Sequence, residues 1–142
     1  MRALMIVGLA LCLFVGMASP GAAQSGGKKK VPGYKVTILH SNRVYYPKPA
    51  RAGTYKKVGL VSSATILNAT PEYKRIKTGE VKRGSAEFEL LLKRASDRFK
   101  RAVRATVSLG GYDMIAEKGA VTVAGRVLPD ITSTVVNNLP KI

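Results

Sequence analysis

Between Ser85 and Gly111 the chain spells out a long helix with one apolar side. Phe88, Leu92, Ala95, Phe99, Ala102 and Thr106 recur at alternating steps of four and three, and Leu91 and Val103 widen the stripe. That spacing is the period of a helix that buries one seam. The Ser85 hydroxyl can accept from the free amides of the first turn, and Gly110-Gly111 permit a left-handed exit. Tyr112-Asp113-Met114-Ile115-Ala116, directly after, reads as a strand. A helix of this kind cannot cover its own seam, so the rest of the chain must pack around the helix–strand unit.

The opposite face of this helix is basic. Lys93, Arg94, Arg98, Lys100, Arg101 and Arg104 lie off the seam, with Asp97 as the only acid among them. Glu89 with Lys93, and Asp97 with Arg101, form four-residue pairs contributing ~0.2–0.5 kcal/mol each. Such pairs leave the face positive, with its cations towards the C-terminal end, where the helix dipole favours them.

The first residues read as a secretory signal rather than as part of the fold. Arg2 precedes an apolar run of fifteen residues, Ala3 to Met17, and Gly21-Ala22-Ala23 supplies the small residues of a cleavage site. The alternative is a membrane anchor, but the run falls short of the ~20 residues needed to span a bilayer. Leu11 before Cys12 is too large for a lipoprotein site. Cleavage after Ala23 removes Cys12, the only cysteine, so disulfides and zinc–thiolate sites drop out. Removing Arg2 from 24 basic residues leaves 23 against 8 acidic ones, a net of +15. This charge suits anionic partners, or simply keeps the protein soluble. Export argues against nucleic acid and leaves membrane surfaces and exported proteins. A domain of this size buries only about two-thirds of its unfolded surface, so association with further copies would help it.

Taken in order, residues 24–56 read as a basic, partly ordered extension. It opens with Ser25-Gly26-Gly27 and Lys28-Lys29-Lys30, carries short strands at Tyr34–Leu39 and Val44–Tyr46, and runs through Pro47-Lys48-Pro49. Residues 57–142 read as the domain proper. Lys57 to Ile66 is the first core strand, followed by Ile66-Leu67. Thr70-Pro71-Glu72 is a helix start with a cap, a first-turn proline and a dipole-matched acid. The short helix buries Tyr73, Ile76 and Val81, and Gly79 and Gly84 break it before the long helix. After Tyr112–Ala116, Lys118-Gly119 turns the chain into a partner strand, Ala120–Ala124, and Asp130 caps a last helix from Ile131 to Leu139.

Catalytic constellations are scarce. His40 is the only histidine and sits among basic loop residues. Glu87 and Glu89 diverge on a helix, and Ser62 and Ser63, placed in the first strand, have no base beside them. No glycine-rich phosphate loop follows a strand. The expectation is a non-enzyme without metal or cofactor, acting by binding or assembly.

Several segments resemble the Skp/OmpH family of periplasmic chaperones. Val58-Gly59-Leu60-Val61 followed by Ile66-Leu67-Asn68-Ala69-Thr70-Pro71-Glu72-Tyr73-Lys74 is similar to the family's first strand and helix start. Gly111-Tyr112-Asp113-Met114-Ile115, Lys118-Gly119-Ala120-Val121 and Asp130-Ile131-Thr132 follow in the family's order. The resemblance covers roughly residues 57–77 and 95–142. It implies an α+β fold: a small β-barrel or sheet body shared between the subunits of a homotrimer, with a projecting helical hairpin. Its oligomer core would hold Val58, Leu60, Tyr112, Met114, Val121 and Val123. The arm would span about residues 71–109, and its short helices, the longer about 36 Å, make it a stub beside family arms.

The resulting functional expectation is a periplasmic holdase that binds unfolded outer-membrane or other envelope proteins, with no nucleic acid involved. The residues expected to meet a client or an anionic surface are Lys82, Arg83, Phe88, Leu91, Leu92, Lys93, Arg94, Arg98, Arg101 and Arg104. The alternative is an envelope adaptor that keeps the body but does not chaperone, fixed to anionic lipid or to one protein partner.

Overall fold

A computed structural model describes residues 33–141. The expected signal segment, the 24–32 stretch and Ile142 lie outside the described residues. The elements are β1 (Tyr34–Ile38), a single 3₁₀ turn (Ser41–Arg43), β2 (Val44–Tyr46), β3 (Gly53–Tyr55), β4 (Val58–Val61), α1 (Ser63–Asn68), α2 (Pro71–Lys77), α3 (Ala86–Gly110), β5 (Met114–Glu117), β6 (Val121–Val123) and α4 (Thr132–Asn137).

The architecture is α+β in three layers. One sheet has the order β3-β1-β6 and the other β2-β5-β4. Met114 and Ala116 of β5 turn towards the first sheet and share a core with Val36, Val44, Val58 and Val121. Ile115 turns the other way, into a core with Phe99, Ala102 and Val103 of α3, Ile66 of α1 and Val135 of α4. β5 is therefore apolar at successive residues because both of its faces are covered. Strand β1, with one face to water, instead alternates exposed Lys35 and Thr37 with Val36 at 2% exposure.

β4 and β5 are parallel, with Val58 opposite Met114 and Val61 opposite Glu117. A parallel pair needs a crossover, which here is the whole α1–α3 segment. Asp113 fixes the start of this pair: its carboxylate accepts from the backbone amides of Lys56 and Lys57 at 2.7 and 3.1 Å. Gly59 must lack a side chain, because a Cβ there would collide with Ile131. Gly111 ends α3 at φ 62°, a left-handed exit that glycine takes at little cost.

Several expectations change. Ile66-Leu67 does not continue the first strand. It lies in α1, which Ser62 caps by accepting from the Thr65 amide at 3.4 Å, so Ser62 and Ser63 sit at a helix start. Helix α2 stops at Lys77, and Val81 is buried in the connection to α3. The strand after α3 starts at Met114, with Tyr112 left outside it. The strands flanking Lys118-Gly119 do not pair: β5 lies between β2 and β4, whereas β6 pairs with β1. The last helix is shorter than expected, Thr132–Asn137, and its cap position is Ile131 rather than the expected Asp130, which stands one residue earlier and accepts from the Thr132 amide at 2.9 Å.

The extension and the domain proper are not separable at residue 57. β1 and β2 are integral strands of the two sheets, one next to β6 and the other next to β5. Val58, Met114 and Val121, expected in a core shared between subunits, are buried by the chain's own Val36 and Val44. Leu60, Tyr112 and Val123 are half-buried at its margins. Among the described residues the two sheets do not close into a barrel.

Candidate functional site

Helix α3 is set by its caps. The Ser85 hydroxyl accepts from the Phe88 amide at 3.2 Å, and the Gly111 amide closes on the Val107 carbonyl at 2.9 Å. Between them run 25 residues, about 37 Å of helix. Leu91, Ala95, Phe99, Ala102, Val103 and Thr106 form the buried side. Lys93, Arg94, Lys100, Arg101 and Arg104 stand exposed on the other. Of these, only Lys100 meets an acid among the described residues, Asp97 at 3.5 Å.

Two of the expected contact residues are not available to a partner. Leu91 is 3% exposed, so it belongs to the helical core rather than to the surface. Arg98 is committed inward: its guanidinium donates to the Glu72 carboxylate at 3.1 and 2.7 Å and to the Pro140 carbonyl at 2.5 Å. The sequence does not show this, because Glu72 lies 26 residues away on another helix. Burial pushes the Glu72 carboxyl up, but the Arg98 hydrogen bonds and charge outweigh it and hold the group below its ordinary value. One oxygen of Glu72 is buried with no hydrogen-bond partner. Phe88 and Leu92 are half-buried, and Lys82 and Arg83 are exposed in the turn before α3.

Two grooves flank the basic face. On the α2 side, a groove of about 540 Å³ is bordered by Arg75, Arg94, Arg98 and Arg101 with Glu72 at its base. Arg75 is itself drawn off by Glu80 and Glu87, at 3.2 and 2.9 Å. On the β2 side, a groove of about 580 Å³ runs between Tyr45, Tyr46 and Lys48 on one bank and Phe99, Lys100 and Arg104 on the other. The sequence reading missed this second groove, because nothing local to Val44–Tyr46 says that it lies beside α3.

A third cluster gathers where β4 and β5 end. The Glu117 carboxylate accepts from the Tyr45 hydroxyl at 2.8 Å and from the Ser63 amide at 3.0 Å. Lys118 and Asp130 pair at 2.7 Å, which with the Thr132 hydroxyl and amide depresses the Asp130 carboxyl to about 2. Desolvation, and to a lesser degree the neighbouring Glu117, raises the Tyr45 hydroxyl above its ordinary value. These bonds join residues of β2, β5 and the turn after it to the starts of α1 and α4, so the cluster ties strand ends to helix starts.

No helix of the described residues is long and apolar enough to cross a membrane. Compared with family models, curated proteins and solved structures, the chain matches none.

Proposed function

We propose that this protein is an exported, short-armed envelope-binding protein of the Skp/OmpH kind. In this reading it holds acidic or unfolded segments of envelope proteins against the outer face of α3, and it does not enclose them. The observation that carries the proposal is the row of exposed cations Lys93, Arg94, Lys100, Arg101 and Arg104 opposite one partly paired acid. The row extends over about 17 Å of helix, enough for a short extended segment. Attraction of this kind steers partners and sets selectivity more than it supplies affinity. The α2–α3 pair would be the stub of the family's arm, and a homotrimer would place three such faces on one scaffold.

A second reading, an adaptor held at anionic lipid or by one fixed protein partner, is favoured by the burial of Leu91. A holdase needs exposed apolar surface. The large exposed apolar residues here, Leu39, Tyr46, Leu90, Leu109 and Val127, are spread along the chain rather than gathered on the arm.

The deciding experiment reverses Arg94, Arg101 and Arg104 to glutamate, leaving Arg98 in place because it is structural. Suppression of unfolded outer-membrane-protein aggregation should fall, and wild-type suppression should weaken as salt rises. Wild-type activity indifferent to salt would refute charge-based holding. Absence of suppression at any stoichiometry, with binding to anionic vesicles retained, would select the adaptor.

A further inference from the structure

β2 is an outer strand of its sheet: β5 takes one side and no strand takes the other. Among the described residues, the Val44 amide is taken by the Ser41 carbonyl, whereas the backbone groups of Tyr45 and Tyr46 make no hydrogen bond outside the pairing with β5. Such an edge is a template for an incoming strand. The open side borders the groove to α3. Its apolar surface comes mainly from the rings of Tyr45 and Tyr46, with the nearly buried Phe99 and Val103 behind them, and its rim is cationic, with Lys48 on the strand side and Lys100 and Arg104 on the helix. The apolar surface is also fixed in shape. Tyr45 stands edge-on to Phe99 at 4.8 Å between ring centroids, and its hydroxyl is tied to Glu117.

An open strand edge facing a helix across an apolar trough is the geometry in which extended peptides dock, with backbone bonds to the strand and alternate side chains in the trough. From this geometry we propose that the β2–α3 groove takes an extended acidic peptide segment, which adds to the edge of β2. One apolar side chain of the segment lies against the Tyr45 and Tyr46 rings at the margin of Phe99, and flanking carboxylates reach Lys48, Lys100 and Arg104. An acyl chain would use the trough but leave the strand's outward groups unmet, whereas a peptide satisfies trough, edge and rim together. Pro47 stops β2 after three residues, so the added ladder is short. The charges and the single apolar anchor must carry most of the affinity, which limits it to the micromolar range. This inference rests on the reading of the protein as a binder of envelope-protein segments and names the place and the form of binding.

The test uses the whole protein and a dye-labelled acetyl-Glu-Val-Glu-Phe-Glu-Val-amide peptide, followed by fluorescence anisotropy. Lys100→Glu with Arg104→Glu should weaken binding about tenfold or more, whereas Lys93→Glu with Arg101→Glu, an equal charge change outside the groove, should weaken it about threefold or less. N-methylation of the peptide backbone at phenylalanine should also weaken binding, because it removes a donor to the strand edge. If the two reversals act equally and N-methylation does nothing, the peptide is held by the charged face alone; the groove proposal then fails while the functional reading stands. If the peptide does not bind, or if phosphatidylglycerol vesicles bind at the groove and displace it completely, the groove is not a peptide site.

Discussion

At its C-terminal end α3 buries Phe99, Ala102, Val103 and Thr106 against β5, α1 and α4. At its N-terminal end it has α2 as its companion, with Leu91 and Val81 buried apart from the two main cores. One amphipathic seam therefore meets a two-sided environment at one end and a single short helix at the other. The buried side does not reveal which end is which; the polar residues do. The C-terminal end is closed by Thr106, whose hydroxyl donates to the Ala102 carbonyl at 2.8 Å and accepts from the Asn138 side-chain Nδ2 at 2.9 Å. The N-terminal end adds ion pairs to the burial of Leu91, Ala95 and Val81: Arg98 with Glu72, only 12–15% exposed, and the half-exposed Arg75 with Glu80 and Glu87, which solvent screens.

The largest expected loss comes from the two-sided end. Ile115→Ala, at a residue with no exposed surface, should destabilise by about 2–5 kcal/mol, towards the upper figure because three helices and a sheet frame the cavity. Urea denaturation should show one cooperative transition at a lower midpoint. Leu91→Ala, at the one-sided end, should cost about 2 kcal/mol, since the short α2 can settle into the space. Equal losses at the two positions would mean that the hairpin is as firmly packed as the body.

The next effect is electrostatic. Arg98→Met leaves the Glu72 carboxylate without its partner at a site where the two side chains are only 12–15% exposed, and should cost about 1–3 kcal/mol at neutral pH. Adding Glu72→Leu should restore most of it, because a well-packed apolar pair can replace a buried ion pair. The Glu72 carboxyl is held below its ordinary 4.5. Its contribution is therefore complete above that pH and is lost as the pH falls through the depressed value. Stability curves measured from pH 7 downward should show this acid limb in the wild type and not in the double variant.

The smallest effect belongs to Lys118 and Asp130, both about half exposed. Lys118→Ala should change stability by less than about 0.5 kcal/mol, since solvent screens such a pair. The Asp130 carboxyl, at about 2 against an ordinary 3.8, keeps its contribution well into acid and loses it only as the pH approaches the lower figure. A larger change at neutral pH would mean that the ends of β4 and β5 depend on this pair more than its exposure allows.

The local signals in the sequence were enough for the helices with strong ends. The Ser85 cap, the Gly111 exit and the Thr70-Pro71-Glu72 start each act within a few residues, so α2 and α3 could be read from neighbours alone. The strands β1 and β2 were legible as strands, because alternation and turn residues are also local. Their partners were not. β1 joins β6 some 85 residues on in sequence, and β2 joins β5 some 70 residues on. Nothing in a period of two carries the address of the strand that will pair with it. The same limit explains the candidate site. Periodicity put Lys93, Arg94, Arg101 and Arg104 on one outward face. Periodicity also placed Arg98 there and Leu91 at the edge of the seam, and only the tertiary structure, by bringing Glu72 to the one and packing α2 against the helix that carries the other, removed both from the surface. The sequence by itself determined which residues could be helix, strand or cation, because those properties arise from steric preference, hydrogen bonding and charge within a few residues. The folded chain decided which cations stay in water and which edge stays open, because burial and pairing depend on contacts between residues far apart in the chain.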